Sequence, residues 1–191
     1  MSITIEARTT IYSGWTTLSL AHVRLDDNTR IDRVIEDHGD AATVLAYDPE
    51  RRCALLVHQF RAPAFYRAGV EGVVEAIAGK VEGETAQSCA RREALEEAGV
   101  ELHDLQHVAD AWTSPGFTTE RFSLFLAEYR AADRRTQGGG ADGEQENITV
   151  LELPLATLKT RMMSGQIDDL KTLALVQALV LKRPELFVDA P

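Results

Sequence analysis

The chain has 191 residues, and 20 Lys and Arg stand against 30 Asp and Glu, a formal net charge of −10. One domain, or a domain with a small appendage, fits that length, and 45% apolar with 26% charged residues excludes disordered and collagen-like chains. The acid excess, with no basic cluster longer than Arg134-Arg135, repels a phosphate backbone, so no nucleic-acid partner is expected.

The longest apolar stretch, Leu173 to Leu181, is about half of the roughly 20 residues that a membrane helix needs. No membrane association is expected. Residues Met1 to Thr9 alternate and carry Glu6 and Arg8, unlike a secretory leader, so a cytoplasmic location is expected. Cys53 and Cys89 lack zinc or redox spacing and read as small buried hydrophobes.

Taken in order, Ile3 to Arg24 alternates in the strand manner around Ser13-Gly14, and Arg33 to Ile35 opens another extended run. Residues 1–40 thus form an antiparallel β unit, and residues 41–191 the main domain. Ala41 to Tyr47 and Cys53 to Gln59 predict a hairpin across Asp48-Pro49-Glu50-Arg51. Gly72 to Ile77 predicts a strand running into Ala78-Gly79, then an acidic loop and a helix over Ala86 to Ala98 closed by Gly99. Strands follow at Leu105 to Trp112, Arg121 to Tyr129 and Ile148 to Leu153, and helices at Leu155 to Ser164 and Lys171 to Leu181. The glycine-rich segment Gln137 to Asn147 reads as a mobile loop, either a tolerated insertion or a functional lid. This order predicts an α+β fold with helices packed on a mixed sheet.

The informative stretch is Gly79 to Val100. From Glu71 to Val100 seven Glu face Lys80, Arg91 and Arg92, a local balance of −4. Glu93, Glu96 and Glu97 fall at i, i+3 and i+4 on one side of the predicted helix, where like charges repel. Glu93 and Glu97 share their face with Ala86 and Ala90, small residues that permit close approach to a sheet. Carboxylates stacked in this way call for a counter-charge, and a hard divalent cation suits oxygen ligands better than zinc does. A solvated helix face with Arg92 bridging Glu96 is the plainer reading of the three carboxylates alone.

The whole pattern is more specific. The run Arg92-Glu93-Ala94-Leu95-Glu96-Glu97-Ala98-Gly99-Val100, behind a glycine and an acidic loop, resembles the Nudix hydrolase family, whose signature is G-x5-E-x7-R-E-U-x-E-E-x-G-U with U apolar. Gly79 lies one residue closer to Arg92 than the signature has it, whereas Glu84 keeps its spacing to Arg92. That shortening is similar to the GDP-mannose-hydrolysing branch. Gln59-Phe60-Arg61, Ser114-Pro115-Gly116-Phe117, Glu144 to Ile148 and Gly165 to Thr172 also resemble the nucleoside-diphosphate-sugar branch, which includes ADP-ribose and GDP-mannose pyrophosphatases.

The resemblance implies an α/β/α sandwich with an added N-terminal β unit, and a homodimer in which that unit reaches over the partner. It implies Mg2+, with Mn2+ as a substitute, held by Glu93, Glu97 and the Ala78 carbonyl, with Glu146 as a metal or water ligand. Glu96 would assist while pairing with Arg92, and Glu144 would be the base. Arg61, with Arg33 as a second candidate, would contact the diphosphate. Trp15 would stack on the nucleobase, a half-buried core tryptophan being the competing reading, and Gly116 would lie in a substrate-facing turn. The implied reaction is hydrolysis of a nucleoside diphosphate sugar, GDP-mannose first and ADP-ribose second, to a nucleoside monophosphate and a sugar phosphate. The alternative is a non-catalytic nucleotide-sugar-binding or regulatory module, which the retained glutamates disfavour.

Overall fold

The computed structural model describes residues 2–140 and 147–188. The chain divides into two compact units, residues 2–40 with Ala111–Phe122, and the remainder.

The first unit is a three-stranded sheet in the order β1 (Thr4–Ser13), β2 (Thr17–Arg24), β3 (Arg30–Asp37). Both pairings are antiparallel, with Thr4 opposite Arg24 in one and Thr17 opposite Asp37 in the other. The tight turn at Gly14 and the Leu25–Thr29 turn make these consecutive hairpins, so the alternation seen in the sequence has a local cause. Within this unit the 114–119 turn is tied to β3 by Glu36 N donating to Phe117 O (2.9 Å) and Thr119 N to Glu36 O (2.9 Å).

The second unit is built on a sheet in the order β10-β5-β4-β9-β8: β10 is Thr149–Pro154, β5 Cys53–Gln59, β4 Asp40–Asp48, β9 Arg121–Glu128 and β8 Leu105–Trp112. β4 and β5 are buried along nearly their whole length, which is why they read as continuous apolar runs and not as alternation. Their hairpin is closed by the Asp48 carboxylate, which accepts from the N–H groups of Glu50 and Arg51 at 2.9 Å each.

The single strand expected over Gly72 to Ile77 is two. β6 (Val73–Glu75) pairs with β5, and β7 (Ile77–Lys80) pairs with β4. Ala76 is the crossing point, and its N–H donates to the Thr172 hydroxyl (2.6 Å) instead of to a neighbouring strand.

Among the described residues four α-helices join the sheets: α1 (Ala62–Ala68), α2 (Ala86–Ala98), α3 (Leu155–Met163) and α4 (Leu170–Lys182). α1 was not expected from the sequence. It has no buried residue and thus no apolar stripe to read; Pro63 opens it, and Gly69 closes it in the left-handed conformation. α2 is the helix that carries the acidic motif. Thr85 caps its start, accepting from Ser88 N at 3.1 Å, and Gly99 ends it in the left-handed region. Its inner face, Cys89, Ala90, Ala94 and Ala98, joins the core with Val44, Leu55, Val57, Ile77 and Phe125. These residues are small, so the helix backbone lies close to the sheet and short acidic side chains can reach it.

Among the described residues no helix is long and apolar enough to cross a membrane.

Candidate active site

Gly79, at the end of β7, lies directly against α2. A Cβ built on it would fall inside the Glu93 carboxyl group, so the glycine is required by the approach of that side chain. One residue earlier, Ala78 N donates to Glu97 Oε2 at 3.1 Å. Glu97 is only 2% exposed. A carboxylate so buried is costly unless it is hydrogen-bonded or paired, and the β7 backbone supplies one of its partners.

Arg92 gathers the remaining acids. Its Nη1 donates to Glu93 Oε1 (2.7 Å) and Glu96 Oε2 (2.9 Å), while Nε and Nη2 both reach Glu84 Oε1 (3.0 and 2.9 Å). Burial acts against the Arg92 charge, but its hydrogen bonds to Glu84 and Glu96 and the charge of Glu93 outweigh it and hold the guanidinium above its usual pKa. Glu84 thus reaches Arg92 despite the shortened loop: the Glu84–Arg92 spacing is preserved, and the missing residue is absorbed between Gly79 and Glu84.

One guanidinium against Glu84, Glu93, Glu96 and Glu97 leaves the cluster strongly anionic. Among the described residues no three His, Cys, Asp or Glu side chains converge as a ready-made cage for a metal ion. The donor set is nevertheless all oxygen. It suits a hard cation such as Mg2+, which takes one or two carboxylates and completes its shell with water and substrate phosphate, and it does not suit zinc.

The segment after β9 departs from its sequence reading. Gly139 N donates to Glu97 O (2.8 Å) and Gly140 N to Glu96 O (3.1 Å), while Arg135 N donates to Gly99 O (2.7 Å). Gly138, at φ 72°, packs so closely on the Glu97 carbonyl that a side chain would collide with it. Residues 135–140 therefore supply donors to the Glu96, Glu97 and Gly99 carbonyls at the C-terminal end of α2. Gly138, Gly139 and Gly140 thus anchor the root of the segment to the carboxylate helix. Glu144 and Glu146 lie outside the described residues.

Arg61 precedes α1. Its Nε and Nη2 form a two-pronged contact with Glu75 Oε1 and Oε2 at 2.9 and 2.8 Å. The same carboxylate accepts from Lys171 Nζ at 2.8 Å. Burial pushes the Glu75 pKa up, but the Arg61 hydrogen bonds and the Lys171 charge prevail and hold it below its ordinary value. Sequence reasoning missed Glu75 and Lys171, which are 96 residues apart. The one available signal was a lone Glu inside an apolar strand.

Arg33, Trp15 and Gly116 belong to the first unit. Arg33 is exposed, with Nη1 donating to Asp32 O (2.8 Å). Trp15 is 78% exposed, which overturns the reading of it as a core residue, and its ring meets that of His38 edge-on at 4.6 Å. Gly116 has open space where a side chain would be.

A strand end, an acidic loop and a carboxylate helix held by one arginine are the parts of this candidate site. Residues 37–170 match the NUDIX domain, and the chain belongs to the Nudix family and is a Nudix hydrolase. It is 38% identical over 154 residues, 80% of both chains, to the GDP-mannose pyrophosphatase of Cronobacter sakazakii. It is likewise 38% identical over 151 residues, 78% of this chain and 77% of the relative, to that of Pectobacterium atrosepticum. Among solved structures it is similar to the crystal structure of an ADP compounds hydrolase, with a TM-score of 0.75 over 96% of each chain at 16% identity, a likeness of fold.

Proposed function

We propose that the protein hydrolyses the pyrophosphate bond of a nucleoside diphosphate sugar in the cytoplasm, with GDP-mannose the first choice of substrate and ADP-ribose the second. The observation that carries this is the carboxylate network on α2, in which Arg92 holds Glu84, Glu93 and Glu96 while Glu97 meets the β7 backbone. The names of the relatives from Cronobacter and Pectobacterium support the substrate class.

In this reading Glu93, Glu97 and the Ala78 carbonyl hold Mg2+, or Mn2+ in its place, with Glu146 as a further ligand. The cation, when bound, neutralises the diphosphate and polarises the phosphorus under attack. Glu144 takes the proton of the attacking water, Glu96 keeps Arg92 in place, and Arg61 with Arg33 contacts the diphosphate. Water adds across one P–O–P bridge, giving a nucleoside monophosphate and a sugar phosphate. The chain acts as a homodimer in which residues 1–40 serve association, and Trp15 stacks on the nucleobase of the substrate held by the partner subunit. The Gly116 turn faces the substrate.

The test is a panel of nucleotide sugars incubated with Mg2+ and with excess chelator, both products being identified. Mg2+-dependent release of a nucleoside monophosphate and a sugar phosphate is expected. Binding without turnover across the panel would favour a non-catalytic module. Light scattering at micromolar concentration reads the oligomeric state.

A further inference from the structure

Glu75 is 3% exposed and takes part in two ion pairs, with Arg61 and with Lys171. Such a buried cluster is weak evidence for stability in itself, because desolvation offsets much of the attraction and apolar replacements are often neutral. Its exposure is graded. The side chains of Glu75 and Lys171 are 4% and 11% exposed, whereas that of Arg61 is 43% exposed. The inner end is fixed and the outer end presented.

The fixing is extensive. Asp169 caps α4 by accepting from Thr172 N (2.9 Å), and it also accepts from Lys171 Nζ (3.0 Å). The Thr172 hydroxyl donates to Asp169 and accepts from Ala76 N (2.6 Å). The first turn of α4 thereby holds the point at which β6 crosses to β7. From Glu75 to Ala78, whose N–H meets Glu97, three extended residues span roughly 10 Å, and Glu97 is among the charges that raise the Arg61 pKa. The edge of the guanidinium bound by Glu75 is Nε and Nη2, and Nη1 takes no part in that fork.

We infer that Glu75 is a positioning residue: braced by Lys171, it locks the Arg61 guanidinium so that its Nη1 edge is offered to the diphosphate of the substrate. This rests on the proposed function for the identity of the anion. An unbraced arginine has many rotamers, and ordering one on binding weakens affinity. A carboxylate fork removes that cost before the substrate arrives.

The test compares Glu75→Gln, Arg61→Ala and the double variant in the full chain, with melting temperatures to confirm folding. Glu75→Gln is expected to raise KM by about tenfold while kcat changes by less than about threefold, as for lost uniform binding, and to add nothing further in the Arg61→Ala background. A folded Glu75→Gln protein with KM within about twofold of the parent, or effects that add in the double variant, overturns the inference. If Glu75→Gln does not fold, Arg61→Lys decides, because it keeps the charge and loses the fork. A loss equal to that of Arg61→Ala supports the inference, and near-parental KM overturns it. If the parent turns over no nucleotide sugar, the proposed function fails by itself, and the same variants are read by their Kd for inorganic pyrophosphate with Mg2+. The same pattern in Kd then supports the positioning role, whereas a parent that binds no pyrophosphate overturns it.

Discussion

The Glu93 carboxyl occupies the space that any side chain at Gly79 would need. The strand glycine and the helix glutamate are therefore one feature of the fold, which brings the end of β7 against α2.

Gly79→Ala tests that relationship. The colliding atoms all belong to the Glu93 side chain, so the fold can yield by swinging the carboxyl away. The melting temperature should shift by no more than about 2–4 °C, the response to roughly 1 kcal/mol in a domain of this size. Activity should fall by about tenfold or more, with a higher Mg2+ requirement. Full activity at ordinary Mg2+ would show that the position of Glu93 does not matter.

Glu97→Gln keeps the shape of the side chain and its hydrogen bond from Ala78 N but removes a charge. Turnover should drop by about 10²-fold or more when the lost carboxylate is a metal ligand, with circular dichroism unchanged. Near-normal turnover in this variant would contradict the metal assignment.

Glu75 gives the acid limb of stability. Its carboxyl is held below the ordinary 4.5, against burial, by the Arg61 hydrogen bonds and Lys171. A group with a depressed folded pKa stabilises the fold fully above its unfolded value and loses that contribution as pH falls through the folded one. The stability gap between the parent and Glu75→Gln should therefore be constant at neutral pH and narrow below about pH 4.5. Urea unfolding from pH 3 to pH 7 reads it, and a gap independent of pH would assign the acid limb elsewhere.

How far the sequence discloses this architecture depends on how local each cause is. The α2 helix is legible because Thr85, Gly99 and the spacing of Glu93, Glu96 and Glu97 all act within one helix. The Glu84–Arg92 pair follows from a spacing of eight residues. The Glu75–Lys171 pair is invisible because the chain between its members is long and neither belongs to a periodic pattern. Gly138 misleads for a different reason: composition records that a residue is glycine, not that its φ is 72° against the Glu97 carbonyl.

Gly138→Ala accordingly carries a cost that a free linker would not show. A left-handed alanine costs roughly 1–2 kcal/mol, and the collision is with α2 backbone, which yields less readily than a side chain. The melting temperature should fall by about 2–8 °C, and turnover should fall with it because Glu97 must shift. An unchanged melting temperature and rate would mean that the loop root is not anchored in solution.

Glu144→Gln bears on the base. Three residues separate Glu144 from Gly140, whose N–H is bonded to Glu96 O at 3.1 Å. In the proposed function Glu144 takes the proton of the attacking water. The substitution should lower kcat by about 10²-fold with little change in KM, as for a group acting mainly in the transition state. Glu146→Gln should be milder and partly restored by raised Mg2+ if Glu146 is a metal ligand. Retention of most of kcat in Glu144→Gln together with its loss in Glu84→Gln or Glu96→Gln would move the base from the loop to the Arg92 network.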